Sequence, residues 1–248
     1  MKVLGIIPAR YASTRFPAKP LADLGGQSMI SRVFTQAAKS KSLSKIIVAT
    51  DHPEIVEHVL AFGGNVCMTS ENHASGTDRC YEVLLKEQEV FDYVINIQGD
   101  EPFIAPDQID LLASLLDGTT ELATLIKKLE AQEQLINPNV VKVVVNESKE
   151  AMYFSRSTIP YWRGKETDWI NQHTYYKHIG MYAYRSDVLK KITSLKVSSL
   201  EKAESLEQLR WLENGLKIKT AETTIETVGI DTPADLEHAR HYLKSHHE

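Results

Sequence analysis

Short apolar runs alternate with amphipathic stretches through the first half of the chain, and that alternation restricts the fold more than any other feature. VLGII (3–7), KIIVAT (45–50), NVCM (65–68) and YVINIQ (93–98) read as strands with little polar interruption. Strands covered on both faces look like this. Between them, Met29, Ile30, Val33, Phe34, Ala37 and Ala38 follow helical spacing. Asp51 and Pro53 open a second helix, which buries Ile55, Val56, Val59 and Leu60 and ends at Gly63-Gly64. Thr77 is placed as the cap of a third, and Pro106 starts a fourth that buries Ile109, Leu112, Ala113 and Leu116. Strand–helix alternation of this kind means βαβ units and a mainly parallel sheet. Ligands of such sheets bind beyond the carboxyl ends of the strands.

The texture changes near Leu122. LATLIKKL, VVKVVV (140–145), AMYF (151–154) and YYKHIGMYAY (175–184) read as longer strands with fewer helices between them, an antiparallel appendage on the parallel core. A polar, aromatic loop spans 156–172. Helix then returns: Ser198 and Glu201 fit a capping box, and Leu200, Ala203, Leu206 and Leu209 form the stripe. The last units are LKIKTAE, a strand IETVG, and a helix starting at Thr232-Pro233. The fold class is therefore α/β, a mainly parallel, Rossmann-like sheet flanked by helices. We read the 248 residues as one domain, softly divided into 1–121 with 190–248 and a part from 122 to 189.

The chain carries 33 acids against 28 bases, a net charge of −5, which argues against nucleic acid as a partner. Two cysteines, Cys67 and Cys80, make neither a disulfide framework nor a CxxC metal site. No apolar run approaches the roughly 18 residues of a membrane span. The expected location is the cytoplasm, with no membrane partner.

Against that acidic balance, one loop after the first strand gathers Arg10, Arg15 and Lys19, with Ser13 and Thr14 between them. Guanidinium forks, ammonium groups and hydroxyls suit phosphate oxygens; a solvated loop would look similar, but the ligand edge of the sheet favours phosphate. Neither GxxxxGK[ST] nor GxGxxG is present, so side chains rather than a glycine cradle hold the phosphates. Asp100, in the GDEP that follows YVINIQ, can reach a metal on a bound nucleotide or simply form a turn. Asp231, in GIDTPADL, is its candidate partner or a support for the helix start. Two such acids would suit a two-metal site.

The turn His73–Arg79 offers hydroxyls that could read a base edge or cap a helix. His173 and His178 lack the compact spacing of a metal site; a substrate contact from one of them fits better. Arg156, Arg163 and Lys177 form a second cationic group, consistent with an acidic co-substrate or a solvated face. No GxSxG elbow is present, so covalent catalysis is not indicated.

PARYASTRFPAKPL, ATDHPEI, HASGTDR, NIQGDEP, YFSRSTIP, HIGMYAYR, LEQLRWLENG and GIDTPADL occur in that order. Together they resemble the 3-deoxy-manno-octulosonate cytidylyltransferase family, the CMP-Kdo synthetases, from about Val3 to Arg240. The resemblance implies a nucleotide-diphospho-sugar transferase fold, a homodimer, Mg2+, and transfer of CMP from CTP to the 2-hydroxyl of Kdo for lipopolysaccharide assembly. It implies that Arg10, Arg15 and Lys19 lie on the triphosphate and that Ser75 and Thr77 lie near the cytosine. Asp100 and Asp231 would be magnesium ligands, and Lys19, Arg15, Asp100 and Asp231 the catalytic set. Gln98, Arg156, His178, Tyr182, Glu207 and Gln208 fall where Kdo is held, and residues 122–189 become the sugar-binding and dimerisation part. The chain departs from the family pattern at Phe16 and Ala18, where leucine and glycine are frequent, and at Asp78, where glutamate is usual. None of these departures is expected to touch the chemistry. The loop from Arg163 to Gln172 matches poorly and its contacts stay unassigned. The rivals are a cytidylyltransferase for another acidic sugar, such as sialic acid or 8-amino-Kdo, and a non-catalytic nucleotide-binding protein, which would lack the two strand-end acids.

Overall fold

The computed structural model describes residues 1–12, 16–164, 167–226 and 229–246. Ser13, Thr14 and Arg15 of the cationic loop lie outside them. The chain forms two compact units, Met1–Asp110 with Thr227–Glu248, and Leu111–Glu226. Residues 190–226, grouped with 1–121 in the sequence reading, fall in the second unit.

In the first unit, β1 (Val3–Ala9), β2 (Lys45–Thr50), β3 (Val66–Met68) and β4 (Tyr93–Asn96) lie in the order β3-β2-β1-β4, every pair parallel. Leu4, Ile6 and Ile7 of β1 are fully buried, which is why this strand tolerates no polar alternation. The helices α1 (Met29–Ala37), α2 (Pro53–Ala61), α3 (Gly76–Lys86) and α4 (Pro106–Ala113) follow their strands as the spacing predicts. Gly63 ends α2 with a φ of +80°. The cap of α3 is Ser75 rather than Thr77. Ser75 has extended backbone, its Oγ accepts from the Asp78 N–H, and the Asp78 carboxylate accepts from the Ser75 N–H, closing a capping box. Thr77 is already inside the helix and buried.

The second unit contains β5 (Leu122–Lys128), α5 (Gln132–Ile136), β6 (Lys142–Val145), β7 (Ala151–Ser155), β8 (Tyr176–Arg185), α6 (Ser186–Thr193), α7 (Ser199–Glu204), α8 (Gln208–Glu213) and β9 (Ile218–Glu222). The expected antiparallel strands are present: β5 pairs with β8, and β6 with β7 and β8. The unit is mixed, however, because β5 also pairs in parallel with β9. Of the expected strand IETVG, Thr227 and Val228 lie outside the described residues, and Ile225, Glu226 and Gly229 are not in a strand. After one further ladder bond, from Thr223 N–H to Ile126 O at 2.8 Å, the chain leaves β5 and Glu226 is held by side chains, with Lys127 Nζ at 3.0 Å.

Back in the first unit, α9 (Pro233–His246) buries Leu236, Ala239 and Leu243 with Ile230, Leu24 and Met29. This cluster anchors the segment around Asp231. Another tight contact sets the loop after β4. A Cβ at Gly99 would stand 2.4 Å from the Pro8 carbonyl oxygen at the end of β1. Glycine is thus required for close approach of two backbones, not merely for a turn. Gly99→Ala should lower stability by about 1–3 kcal/mol, the usual scale of overpacking, as read from the urea midpoint. An unchanged midpoint would show that the loop moves away freely.

Candidate active site

Lys19 opens a short 3-10 turn, Lys19–Leu21. The residue before it, Ala18, has left-handed backbone (φ 54°, ψ 23°), and its N–H donates to Tyr11 O at 3.0 Å. Alanine is strained there and glycine is not. The Ala18 departure therefore stands at the residue whose backbone turns the chain into Lys19. The turn aims the Lys19 ammonium at three oxygens: Asp100 Oδ2 at 3.0 Å, Ile230 O at 3.0 Å and Asp231 Oδ1 at 3.3 Å. Two acids 131 positions apart in the chain thus converge on one cation.

Each acid is fixed by its backbone. Asp100 follows the Gly99 contact, and its carbonyl accepts from Ile230 N–H at 2.9 Å. Asp231 precedes α9 but does not cap it. Thr232 and Asp235 do: Thr232 Oγ1 accepts from Asp235 N–H, and Asp235 Oδ2 accepts from the N–H groups of Asp231 and Thr232. Those hydrogen bonds, with that from the Thr232 hydroxyl foremost, hold the Asp235 carboxyl below the usual range. The Asp231 carboxylate is left to turn toward Lys19.

Arg10 is exposed just beyond β1, and Gln98 stands half-buried beyond β4. Both lie at the carboxyl edge of the parallel strands, as does Asp100. Arg15 lies outside the described residues. Ser75 Oγ, besides capping α3, donates to Asp78 Oδ2 at 3.0 Å. A buried ion pair that motif reading missed supports this edge. Arg79, 1% exposed, donates to Asp51 Oδ2 at 2.8 Å and also bonds Thr69 Oγ1. Asp51 Oδ1 accepts from Tyr11 N–H at 3.1 Å, tying β2 and α3 to the start of the cationic loop. The signal was available in ATD, an acid at a strand's carboxyl end. Among the described residues no group of three or more His, Cys, Asp or Glu side chains could hold a metal. The Asp100–Asp231 pair is smaller, and magnesium typically takes one or two carboxylates together with substrate phosphates.

The second unit holds the remaining candidates. His178, on β8, shares a 3.0 Å hydrogen bond between Nε2 and Thr124 Oγ1. The Thr124 hydroxyl has its own acceptors, Met181 O at 2.8 Å and Ile179 O at 3.1 Å. Nε2 therefore carries the proton and donates, and Nδ1 keeps its lone pair. Burial pushes the His178 pKa down to about 3, so the ring is neutral near pH 7. Tyr182 packs on His178 (5.0 Å between centroids) and edge-on to Trp211 (5.0 Å). Tyr182 Oη and Trp211 Nε1 are buried without a hydrogen-bond partner among the described residues. Burial first, then the charges of Tyr184 and Glu207, raise the Tyr182 pKa, so it stays a phenol. Gln208 is buried at the start of α8, with Glu207 just before it. Arg156 spends three of its donors on carbonyls: Nε on Glu204 O at 2.7 Å, Nη1 on Pro138 O at 3.2 Å and Nη2 on Ser205 O at 3.4 Å.

A family model described as "Cytidylyltransferase" matches residues 4–218. The chain is 59% identical to a 3-deoxy-manno-octulosonate cytidylyltransferase of Bacteroides thetaiotaomicron, over 99% of each chain. It is 57% identical to one of Cytophaga hutchinsonii, over 97% of each. The chain belongs to this cytidylyltransferase family. A solved structure of CMP:2-keto-3-deoxy-manno-octonic acid synthetase complexed with CTP superposes with a TM-score of 0.92 at 44% identity, covering 99% of both chains. The α/β architecture read from strand–helix alternation is thus that of the cytidylyltransferases.

In this family member, the neutral His178 has a consequence for stability. Its folded pKa lies below that of an unfolded histidine, about 6.5. As pH falls below 6.5, the unfolded chain takes up a proton that the folded one refuses. Stability should fall by up to about 1.4 kcal/mol per pH unit from this group between pH 6 and pH 4. Urea unfolding against pH, compared with His178→Gln, should show a slope shallower by one proton in the variant. Equal slopes would mean that His178 titrates normally.

Proposed function

We propose that this chain transfers the cytidylyl group of CTP to the 2-hydroxyl of Kdo. The hydroxyl oxygen attacks the α-phosphorus, the bond to the β-phosphate oxygen breaks, pyrophosphate leaves, and the hydroxyl proton is lost to solvent. Family membership supports the reaction. The observation that carries the site is the Lys19 ammonium held at once by Asp100 and Asp231.

Those residues fit Mg2+. The ammonium acts as a stand-in cation, and the oxygens around it, two carboxylate and one carbonyl, are the hard donors that magnesium prefers. When bound by Asp100 and Asp231, magnesium would lower the pKa of the attacking hydroxyl and offset phosphate charge. Lys19 and Arg10, with Arg15, place positive charge where the departing pyrophosphate gains negative charge. Lys19 needs only a side-chain rotation to exchange carboxylate for phosphate oxygens. Ser75 and Thr77 shape the turn assigned to the base. In the second unit, one N–H remains on each terminal nitrogen of Arg156 after its three carbonyl contacts, the number that a bidentate carboxylate takes. His178 Nδ1 can accept from a sugar hydroxyl, Tyr182 Oη can donate to one, and Glu207 and Gln208 supply further polar contacts; in the first unit, Gln98 is the side chain assigned to the sugar. Reaction by positioning and electrostatics needs no covalent intermediate.

The chain is further read as a homodimer, a reading that rests on the family resemblance. We place the enzyme in the cytoplasm, supplying lipopolysaccharide synthesis; among the described residues no helix is long and apolar enough to cross a membrane. Asp100→Asn should retain CTP binding and thermal stability while kcat falls on the order of 10²–10³-fold, the scale of removing one preorganised electrostatic group. Near-wild-type turnover at saturating magnesium would refute the role given to Asp100.

A further inference from the structure

Both backbone polar groups of Arg156 are held by charged side chains from other elements. Its N–H donates to Glu204 Oε2 at 2.9 Å, and its carbonyl accepts from Lys142 Nζ at 2.5 Å. Glu204 closes α7, and its other carboxylate oxygen accepts from Ser155 Oγ at 2.5 Å. Lys142 opens β6 and is fully buried. Among the described residues no ion pair accompanies it: its other two donors go to Asn137 O at 2.9 Å and Val140 O at 2.7 Å. Burial pulls the Lys142 pKa down, the Glu204 charge opposes this, and Arg156 adds to it.

A buried ammonium satisfied only by carbonyls is a costly way to pack a strand end, since an apolar side chain would fill the same space without desolvating a charge. What the charge achieves here is geometric. Opposite charges grip the two sides of a single residue, fixing its φ and ψ and hence the direction of its side chain. The guanidinium then returns to the same elements through Glu204 O, Ser205 O and Pro138 O. Three segments, the 137–142 stretch, the end of β7 and the end of α7, are thereby locked around one arginine.

We propose that Lys142 and Glu204 are positioning residues that aim Arg156 at the carboxylate of an acidic sugar. Neither touches substrate. This rests on the reading of Arg156 as the carboxylate's partner. Fixing the guanidinium before the sugar arrives removes an ordering cost from binding, so loosening the clamp should appear in the KM of the sugar and not in that of the nucleotide.

The test is steady-state kinetics of Glu204→Gln, Lys142→Met and Arg156→Ala, and of each clamp variant combined with Arg156→Ala, using CTP and Kdo. Glu204→Gln is isosteric and keeps an acceptor for the Arg156 N–H. The expected result is a rise of about 5–20-fold in Kdo KM for either clamp variant, the size of removing the charge from a charge-assisted hydrogen bond, with CTP KM within twofold. In the Arg156→Ala background, the same substitutions should add less than twofold. Where Lys142→Met does not accumulate as folded protein, Glu204→Gln alone decides. An equal rise in the KM of both substrates, or the same effect with and without Arg156, would reduce the clamp to a structural brace and overturn the proposal. If Arg156→Ala alone leaves the Kdo KM unchanged, the reading of Arg156 itself fails, and the clamp's purpose with it.

Discussion

One ammonium, held by two carboxylates and a carbonyl, joins the parts of the first unit of this enzyme. Asp100 and Asp231 would repel each other without a cation between them, and Lys19 supplies one. The contact needs three segments far apart in the chain: the turn at 19, the loop after β4, and the approach to α9. Each arrives by a separate device. Left-handed Ala18 turns Lys19 inward, Gly99 lets its loop lie on the end of β1, and the apolar cluster around Ile230 fixes Asp231. The interaction is also chemically provisional. An ammonium that offsets two acids can exchange them for phosphate oxygens, and the acids can then take a metal.

Buried charge recurs as the means of holding polar loops in place. Arg79 and Asp51 do so at the start of the cationic loop, where Asp51 also accepts from Tyr11 N–H and Arg79 also bonds Thr69. Lys142 and Glu204 do so around Arg156. In both places the charged group binds backbone, so it fixes direction rather than adding much net stability. The side chains assigned to substrate would gain preorganisation from such neighbours.

The strands of the first unit were legible because both their faces are covered, which leaves uninterrupted apolar runs such as KIIVAT. The caps were nearly so. Ser75 and Thr77 are both good caps by composition, and only the backbone of Ser75, extended where Thr77 is helical, separates them. IETVG was only partly testable: Thr227 and Val228 lie outside the described residues, and the described part, Ile225, Glu226 and Gly229, is not in a strand, Glu226 being drawn to lysine side chains instead. Single candidate groups were visible in GDEP, GIDTPADL and the cationic loop. Their convergence was not, because no local pattern reports a contact between positions 100 and 231. Arg156 shows the same limit from the other side: its charge was evident, but its engagement with three carbonyls depends on the ends of α7 and the 137–142 stretch.

The most direct measurement of the central claim is pyrophosphate release from CTP with magnesium, compared for Kdo, sialic acid and no sugar, with the product mass determined. Release that requires Kdo, with a product of the mass of CMP-Kdo, is the expected result. Release with sialic acid but not Kdo would contradict the acceptor. No release with any sugar, from folded protein that still binds CTP, would contradict the catalytic reading of the Lys19, Asp100 and Asp231 site.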